Sequence, residues 1–260
     1  MRILPLLVGI LLAAVPAAAQ GIVEVLDARV AELDDETGVW QLLGDPVRVR
    51  RQDAEVRAPR IRYDRNRRRL TAEGGVELLR PAERLTALRL DYYLDAQRLQ
   101  ADGEVTVIRE VEAGTVTVQA PDFRADLRAQ RAEATGGVRG SYGNVRLYAH
   151  TLSVDWDAAE AVARGHPEAQ VEEVRIRAEL LRASLRNRVL YATGGVRVTD
   201  GRVTATAQEL EARVPEGVAV LRGGVEVMRD GDRLVAPEVW YAYREGSVRT
   251  VGRARVVVRP

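Results

Sequence analysis

VRAPRIRYDRNRRRLTAEGGVEL, residues 56–78, contains both halves of a unit that runs through the chain. The first half sets an apolar or small residue, Ala two positions on, an apolar residue three after that, and another small or apolar residue two later: Val56, Ala58, Ile61 and Tyr63. The same spacing returns at Leu85/Ala87/Leu90/Tyr92, Val118/Ala120/Phe123/Ala125, Leu147/Ala149/Leu152/Val154, Ile176/Ala178/Leu181/Ala183, Ala205/Ala207/Leu210/Ala212 and Leu234/Ala236/Val239/Tyr241. Successive copies start 29 residues apart except for one step of 33. The second half, Gly74-Gly75-Val76, follows in register as Asp102-Gly103-Glu104-Val105, Gly136-Gly137-Val138, Gly194-Gly195-Val196 and Gly223-Gly224-Val225. Gly44-Asp45-Pro46-Val47 reads as the same half of a copy whose opening has degraded, and Ala254/Val256 closes the series. The fourth copy departs at Gly165-His166-Pro167, where the pattern predicts a longer or irregular loop. A period of this length marks a repeat architecture, in which each unit buries its apolar face only by stacking on its neighbours.

Both halves have strand character. Val76-Glu77-Leu78, Val105-Thr106-Val107, Val196-Arg197-Val198 and Val225-Glu226-Val227 alternate apolar and polar, so one face is dry and the other wet. The two-three-two spacing of the first half slips that alternation by one residue, and a bulge or bend at Pro59, Pro121 or Pro237 would restore the face. The double glycines suit a turn or bulge that needs positive φ and lets neighbouring layers approach. Tight turns are expected at Asp64-Arg65-Asn66 and Asp200-Gly201. Segments 124–134, 158–163 and 177–185 are rich in helix formers, and a local helix near 157–164 is the competing expectation. The in-register apolar positions favour strands throughout, giving an all-β body of stacked antiparallel strands.

Composition narrows the function. The chain has 260 residues, no cysteine, no lysine, two histidines, and 39 basic against 38 acidic side chains, for a net charge of +1. Disulfides, thiolate chemistry and lysine-based catalysis are excluded, and the charge balance gives no pull toward nucleic acid. The acid pairs Asp34/Asp35 and Glu172/Glu173 are adjacent, so a strand would send them to opposite faces. His150 has no diagnostic partner, and no metal or phosphate-loop motif is present. The expectation is no enzyme, no cofactor and no metal. Arg2, the apolar run from Ile3 to Val15 and Pro16-Ala17-Ala18-Ala19 form an export-signal pattern, with cleavage expected after Ala19 and a retained single membrane anchor as the alternative, for which the run is short of the about 20 residues a spanning helix needs. Export places the mature chain in the periplasm or cell envelope. The organisation expected is a signal peptide over 1–19, a lead-in or degraded first repeat over 20–43, and one continuous repeat body over 44–260.

The lines Arg69-Leu70-Thr71-Ala72-Glu73-Gly74-Gly75-Val76-Glu77-Leu78, Glu83-Arg84-Leu85-Thr86-Ala87 and Tyr191-Ala192-Thr193-Gly194-Gly195-Val196-Arg197-Val198 resemble the OstA-like superfamily. This superfamily includes the periplasmic lipopolysaccharide-transport proteins LptA and LptC and the N-terminal domain of LptD. The resemblance covers approximately Gly44 to Pro260, and seven copies make the chain an extended member. It implies an elongated, twisted β-jelly roll, open like a V, whose greasy interior takes acyl chains. It implies lipopolysaccharide or another acylated envelope lipid as cargo. LptC-like and LptD-like OstA domains would join it edge to edge, with a homo-oligomer as a further form. A structural or adaptor protein that assembles end to end without carrying lipid is the alternative.

The groove lining expected from the repeat is Val56, Ile61, Tyr63, Leu78, Leu85, Leu90, Tyr92, Val107, Val118, Phe123, Leu147, Leu152 and Leu181. The same positions equally suit a packed sandwich core. Arg57, Arg60, Arg62, Arg84 and Arg89 flank the strands, either to meet headgroup phosphate or to pair with carboxylates on a solvated face. Trp40, Trp156 and Trp240 are possible rim anchors, and Trp240 should point away from the face shared by Val239 and Tyr241.

Overall fold

The computed structural model describes residues 22–111, 114–243 and 245–258. The export signal expected at 1–19 lies outside them. Two compact units divide the chain, one ending at Val138 and the other beginning at Arg139. Among the described residues there is no helix.

The N-terminal unit is built from β1 (Glu24–Asp27), β2 (Val30–Asp34), β3 (Val39–Arg51), β4 (Ala54–Asp64), β5 (Arg69–Arg80), β6 (Glu83–Tyr93), β7 (Arg98–Val111) and β8 (Gly114–Asp126), with part of β9 (Arg131–Tyr142). From β3 to β8 each strand pairs antiparallel with the next. β1 and β2 lie end to end along β3, the first on its C-terminal half and the second on its N-terminal half.

The C-terminal unit contains β10 (Val145–Asp155), β11 (Glu160–Arg164), β12 (Glu168–Val171), β13 (Val174–Arg177), β14 (Leu180–Ser184), β15 (Val189–Thr199), β16 (Val203–Arg213), β17 (Val218–Arg229), β18 (Asp232–Ala242), β19 (Ser247–Val251) and β20 (Arg255–Val257). β11 and β12 both pair with β10, and β13 and β14 both pair with β15. Gly165-His166-Pro167 is thus a three-residue bend in one long strand rather than a longer loop. Three residues there oppose Ala149 and His150 on β10, the count found at the glycine bulges elsewhere. The helix-rich segment 157–164 forms a turn and β11 instead. The pairing of Ala161 and Ala163 with Ala183 and Leu181 sets its conformation.

The bulges sit on the glycine halves. Between Glu73 and Val76 two glycines oppose the single residue Leu88 on β6, and between Asp102 and Val105 two residues oppose Pro121 on β8. Gly74 and Gly75 adopt φ of +93° and +95°, which a side chain resists. Pro59, Pro121 and Pro237 lie in the partner strands, where the missing N–H costs no regular ladder bond.

Turns close the other ends. Asp64 Oδ1 accepts the Arg67 N–H at 2.8 Å, and Asp126 and Asp155 repeat the bond with Ala129 and Ala158 at 2.9 Å. Each turn ends on a left-handed residue, such as Arg68, Gln130 or Ala159. The carbonyl of that residue then accepts the N–H of the residue that opens the next such turn: Leu94 to Arg68 at 2.9 Å, Leu185 to Ala159 at 2.8 Å. Neighbouring copies are therefore knitted at their turns as well as along their ladders.

Candidate functional site

Strand register gathers the expected lining into rows that cross the sheet. Val49, Val56, Leu78, Leu85, Val107 and Val118 are successive partners from β3 to β8. Leu42, Ile61, Ala72, Leu90, Ala101 and Phe123 form another row beyond the bulges. Trp40, Tyr63, Leu70, Tyr92, Leu99 and Ala125 form the one nearest the turns. In the C-terminal unit Leu147 begins a row through Ala169, Ile176, Val198 and Ala205. Leu152 and Leu181 share one with Ala163, Ala192, Leu210, Leu221 and Val239. All thirteen residues thus face the apolar side. Eleven are buried, and Tyr63 and Tyr92 are half-buried.

The two ends of these rows meet inside the N-terminal unit. Arg51 Nη1 donates to the Tyr92 hydroxyl at 2.8 Å, and the guanidinium lies 5.5 Å from the ring centre. By register Arg51 belongs beside Ala54, Arg80 and Glu83, and Glu83 is nine residues from Tyr92 on β6. A flat sheet would hold them about 30 Å apart. The strands therefore turn over at the glycine bulges, and the apolar face encloses an interior with Arg51 and Tyr92 on its opposite lips.

The wet face is an arginine–carboxylate lattice. Arg57 pairs with Glu55 at 2.8 Å and Glu77 at 3.5 Å, Arg60 with Glu73 at 4.0 Å, Arg84 with Glu77, and Arg89 with Glu73 at 2.8 Å and Asp91 at 3.1 Å. Arg62 is exposed on the same face. Four of the five arginines expected to flank the strands thus pair with carboxylates there. Hydrogen bonds from Arg48 and Arg57 pull the Glu55 carboxyl down to about 2. Burial opposes the charge of Asp91, which is 5% exposed, yet bonds from Thr71, Arg89 and Arg69 outweigh it and lower its pKa. In the C-terminal unit Arg222 links Glu211 at 3.1 Å and Glu238 at 2.9 Å. Trp240 donates to Glu238 beneath Arg213. Trp240 points away from the face of Val239 and Tyr241, as the alternation requires, whereas Trp40 sits in an apolar row.

Asp34 accepts the N–H groups of Glu36 and Thr37, Glu172 accepts from Asn144, and His150 and His166 are exposed. Among the described residues no group of acids and histidines is placed to hold a metal.

One set of interior side chains has no counterpart in the lining read from the repeat. Arg51, Arg80 and Arg109 stand 29 residues apart, at one repeat position, two residues beyond Val49, Leu78 and Val107. Their spacing is visible in the sequence, but arginines are so frequent on the wet face that charge alone does not single them out.

The profile of the family described as "LptA/(LptD N-terminal domain) LPS transport protein" matches residues 117–247, 131 of the chain's 260. The chain belongs to this family. The matched segment begins in β8 and ends in β19, in strands throughout apart from the turns and bends between them. Among solved structures, the chain is similar to the crystal structure of LptH, the LptA-homologous periplasmic component of the lipopolysaccharide transport device from Pseudomonas aeruginosa. The identity is 14% and the TM-score 0.28, over 56% of this chain and 95% of that one. No curated protein matches the chain.

Proposed function

We propose that the chain is a periplasmic lipid-transport protein that carries lipopolysaccharide or a related envelope glycolipid in the interior lined by its apolar rows. Family membership supports the transport role. The observation that carries the proposal is that the apolar rows of the C-terminal unit run on to β19 and β20, which among the described residues pair with β18 alone. Leu234 pairs with Val256 and Tyr241 with Val248, so β19 and β20 extend the same rows. Val248 and Val256 are 57% and 62% exposed, whereas Leu85 at an equivalent inner position is 1% exposed. An apolar face left open at its end suits acyl chains entering from, or leaving to, a further strand-built domain. LptC-like or LptD-like domains, or a second copy of this chain, are the partners this edge would take. The lining would be the thirteen residues of the apolar rows, with export by the 1–19 signal and a transport rather than catalytic role.

A specific observation favours the alternative. Ile61, Leu90, Ala72 and Ala101 lie in one row and are wholly inaccessible. That is the packing of a filled core, and it suits an adaptor that assembles through its edges without cargo.

Native mass spectrometry with lipid extraction, on mature protein purified from its own envelope, separates the two. Co-purifying acylated lipid that is lost in a folded Leu85→Asp variant supports the carrier. A lipid-free protein that takes up no acyl ligand, yet forms concentration-dependent chains, overturns it in favour of the adaptor.

A further inference from the structure

Arg51, Arg80 and Arg109 project from the apolar face, where charge is costly. Each follows a buried valine or leucine by two residues on β3, β5 or β7, so alternation returns it to the inner side. Because these are alternate strands, neighbouring arginines stand about 10 Å apart along one lip. The equivalent position in later copies is Tyr142, Val171, Asp200 and Arg229. Arg229 is exposed beside Asp230 at 3.5 Å. The inward run of arginines is therefore confined to three successive copies.

These guanidiniums are incompletely satisfied. Nε of Arg51, Nε of Arg80, and both Nε and Nη1 of Arg109 are buried without a hydrogen-bond partner. The carboxylate between them is Glu83, the register partner of both Arg80 and Arg109. Burial pushes the Glu83 carboxyl up, against the pull of Arg80 and Arg109, while burial pushes Arg109 down. Asp53, in the turn between β3 and β4, is exposed. Three guanidiniums against one inward carboxylate leave two positive charges at the edge of an apolar interior. A buried donor left unpaired costs more than a net hydrogen bond returns, so the arrangement makes energetic sense with an anion in place.

We propose that Arg51, Arg80 and Arg109 form a phosphate-binding ladder on the inner lip of the N-terminal unit, taking the phosphate of a lipid headgroup whose acyl chains lie along the rows beneath. The proposal rests on the lipid-carrier reading and adds the chemical class of headgroup. Guanidinium forks match phosphate oxygens two at a time, which arginine does and lysine does not. The Tyr92 hydroxyl, which fixes Arg51, holds the first fork in position from the opposite lip.

The test compares binding of diphosphorylated lipid A, the same lipid stripped of phosphate, and inorganic phosphate to the full mature chain. The variants are Arg80→Gln/Arg109→Gln and, as a charge-matched control on the wet face, Arg57→Gln/Arg84→Gln. The wild type is expected to prefer the phosphorylated lipid by at least about tenfold, the worth of one charge-assisted hydrogen bond. The inner variant should lose that preference while binding the stripped lipid as before, and the control should keep it. Equal binding of both lipids by the wild type, or equal loss in both variants, overturns the ladder and leaves the carrier intact. Failure to bind either lipid overturns the carrier. The ladder's anion chemistry then stands or falls on phosphate binding, read by phosphorus NMR and abolished only in the inner variant. Should the double variant not fold, Arg109→Gln alone is put through the same comparison.

Discussion

Gly223 lies so close to Gln208 that a Cβ on the glycine would stand 2.6 Å from the Cβ of Gln208. A close approach to the residue fifteen positions earlier recurs in other copies: Gly103 on Leu88 at 2.8 Å, Gly136 on Pro121 at 2.9 Å, Gly165 on His150 at 2.4 Å, Gly194 on Glu179 at 2.5 Å and Gly252 on Pro237 at 3.1 Å, whereas Gly74 stands an ordinary 3.5 Å from Pro59. Pro59, Leu88, Pro121, His150, Glu179, Gln208 and Pro237 share nothing chemically. What recurs is the space kept clear for them, at the bulge where the ladder of each copy slips by one residue. Even the interrupted fourth copy keeps it.

Substitution at neighbouring glycines should separate the two demands. Gly224 has φ of +72° and nothing within 4 Å of its would-be Cβ, so Gly224→Ala carries only the backbone penalty, about 1 kcal/mol. Gly223→Ala meets the Gln208 Cβ, which cannot swing away, and should cost about 1 to 3 kcal/mol more. Urea unfolding of the two variants gives the comparison. Equal midpoints would show that the close approach carries no energy.

Leu90 and Leu88 test the assignment of faces two residues apart on β6. Leu90 is wholly buried and Leu88 is 59% exposed. Leu90→Ala should destabilise the chain by about 3 kcal/mol, from lost transfer energy and the cavity left behind. Leu88→Ala should stay within about 0.5 kcal/mol, as exposed substitutions do. Similar losses from both would mean the slip in alternation between Ala87 and Leu90 has been misplaced.

The repeat was legible because a strand writes its buried face into every second residue, and seven copies sum a weak signal. Val56/Ala58/Ile61/Tyr63 and its successors gave the rows, and the glycine pairs marked a turn or bulge. Less legible was which half held the extra residue. The two-three-two spacing points to the prolines, whereas the ladder shows two glycines opposite one residue, and only the pairing of strands settles which side is longer. Fold-over was equally invisible. The Arg51–Tyr92 bond joins positions 41 apart in sequence through a bend that no local pattern records. The wet-face arginines outnumber the inward three, and sequence distinguishes them only by counting residues past the last apolar position of each copy.

Acid should reveal the lattice on the wet face. The Glu55 carboxyl is held at about 2, mainly by hydrogen bonds from Arg48 and Arg57, against an unfolded value of 4.5. A group whose folded pKa is depressed contributes stability in full above its unfolded pKa, and that contribution disappears as pH falls through the folded one. Glu55→Gln should therefore lower Tm above pH 4.5 and converge with the wild type near pH 2, in a pH series of thermal melts. A constant difference across that window would mean the ion pairs of Glu55 contribute nothing to the stability of the fold.

The terminal edge offers the most direct test of assembly. Among the described residues β19 and β20 each pair with β18 alone, and their exposed apolar side chains continue rows whose inner members, such as Leu234, Tyr241 and Val227, are half-buried or buried. An open ladder edge with Val248 and Val256 exposed has both backbone groups to extend and apolar area to bury, so the chain should associate as concentration rises. A lysine pointing inward on such an edge blocks pairing without touching the interior strands. Val248→Lys should weaken association by at least about tenfold, roughly 1.4 kcal/mol, in sedimentation velocity. Leu88→Lys, an equally exposed change on the wet face of an inner strand, should leave association as it was. If the two variants behave alike, or the wild type stays monomeric at every concentration, this edge is an end and not a junction.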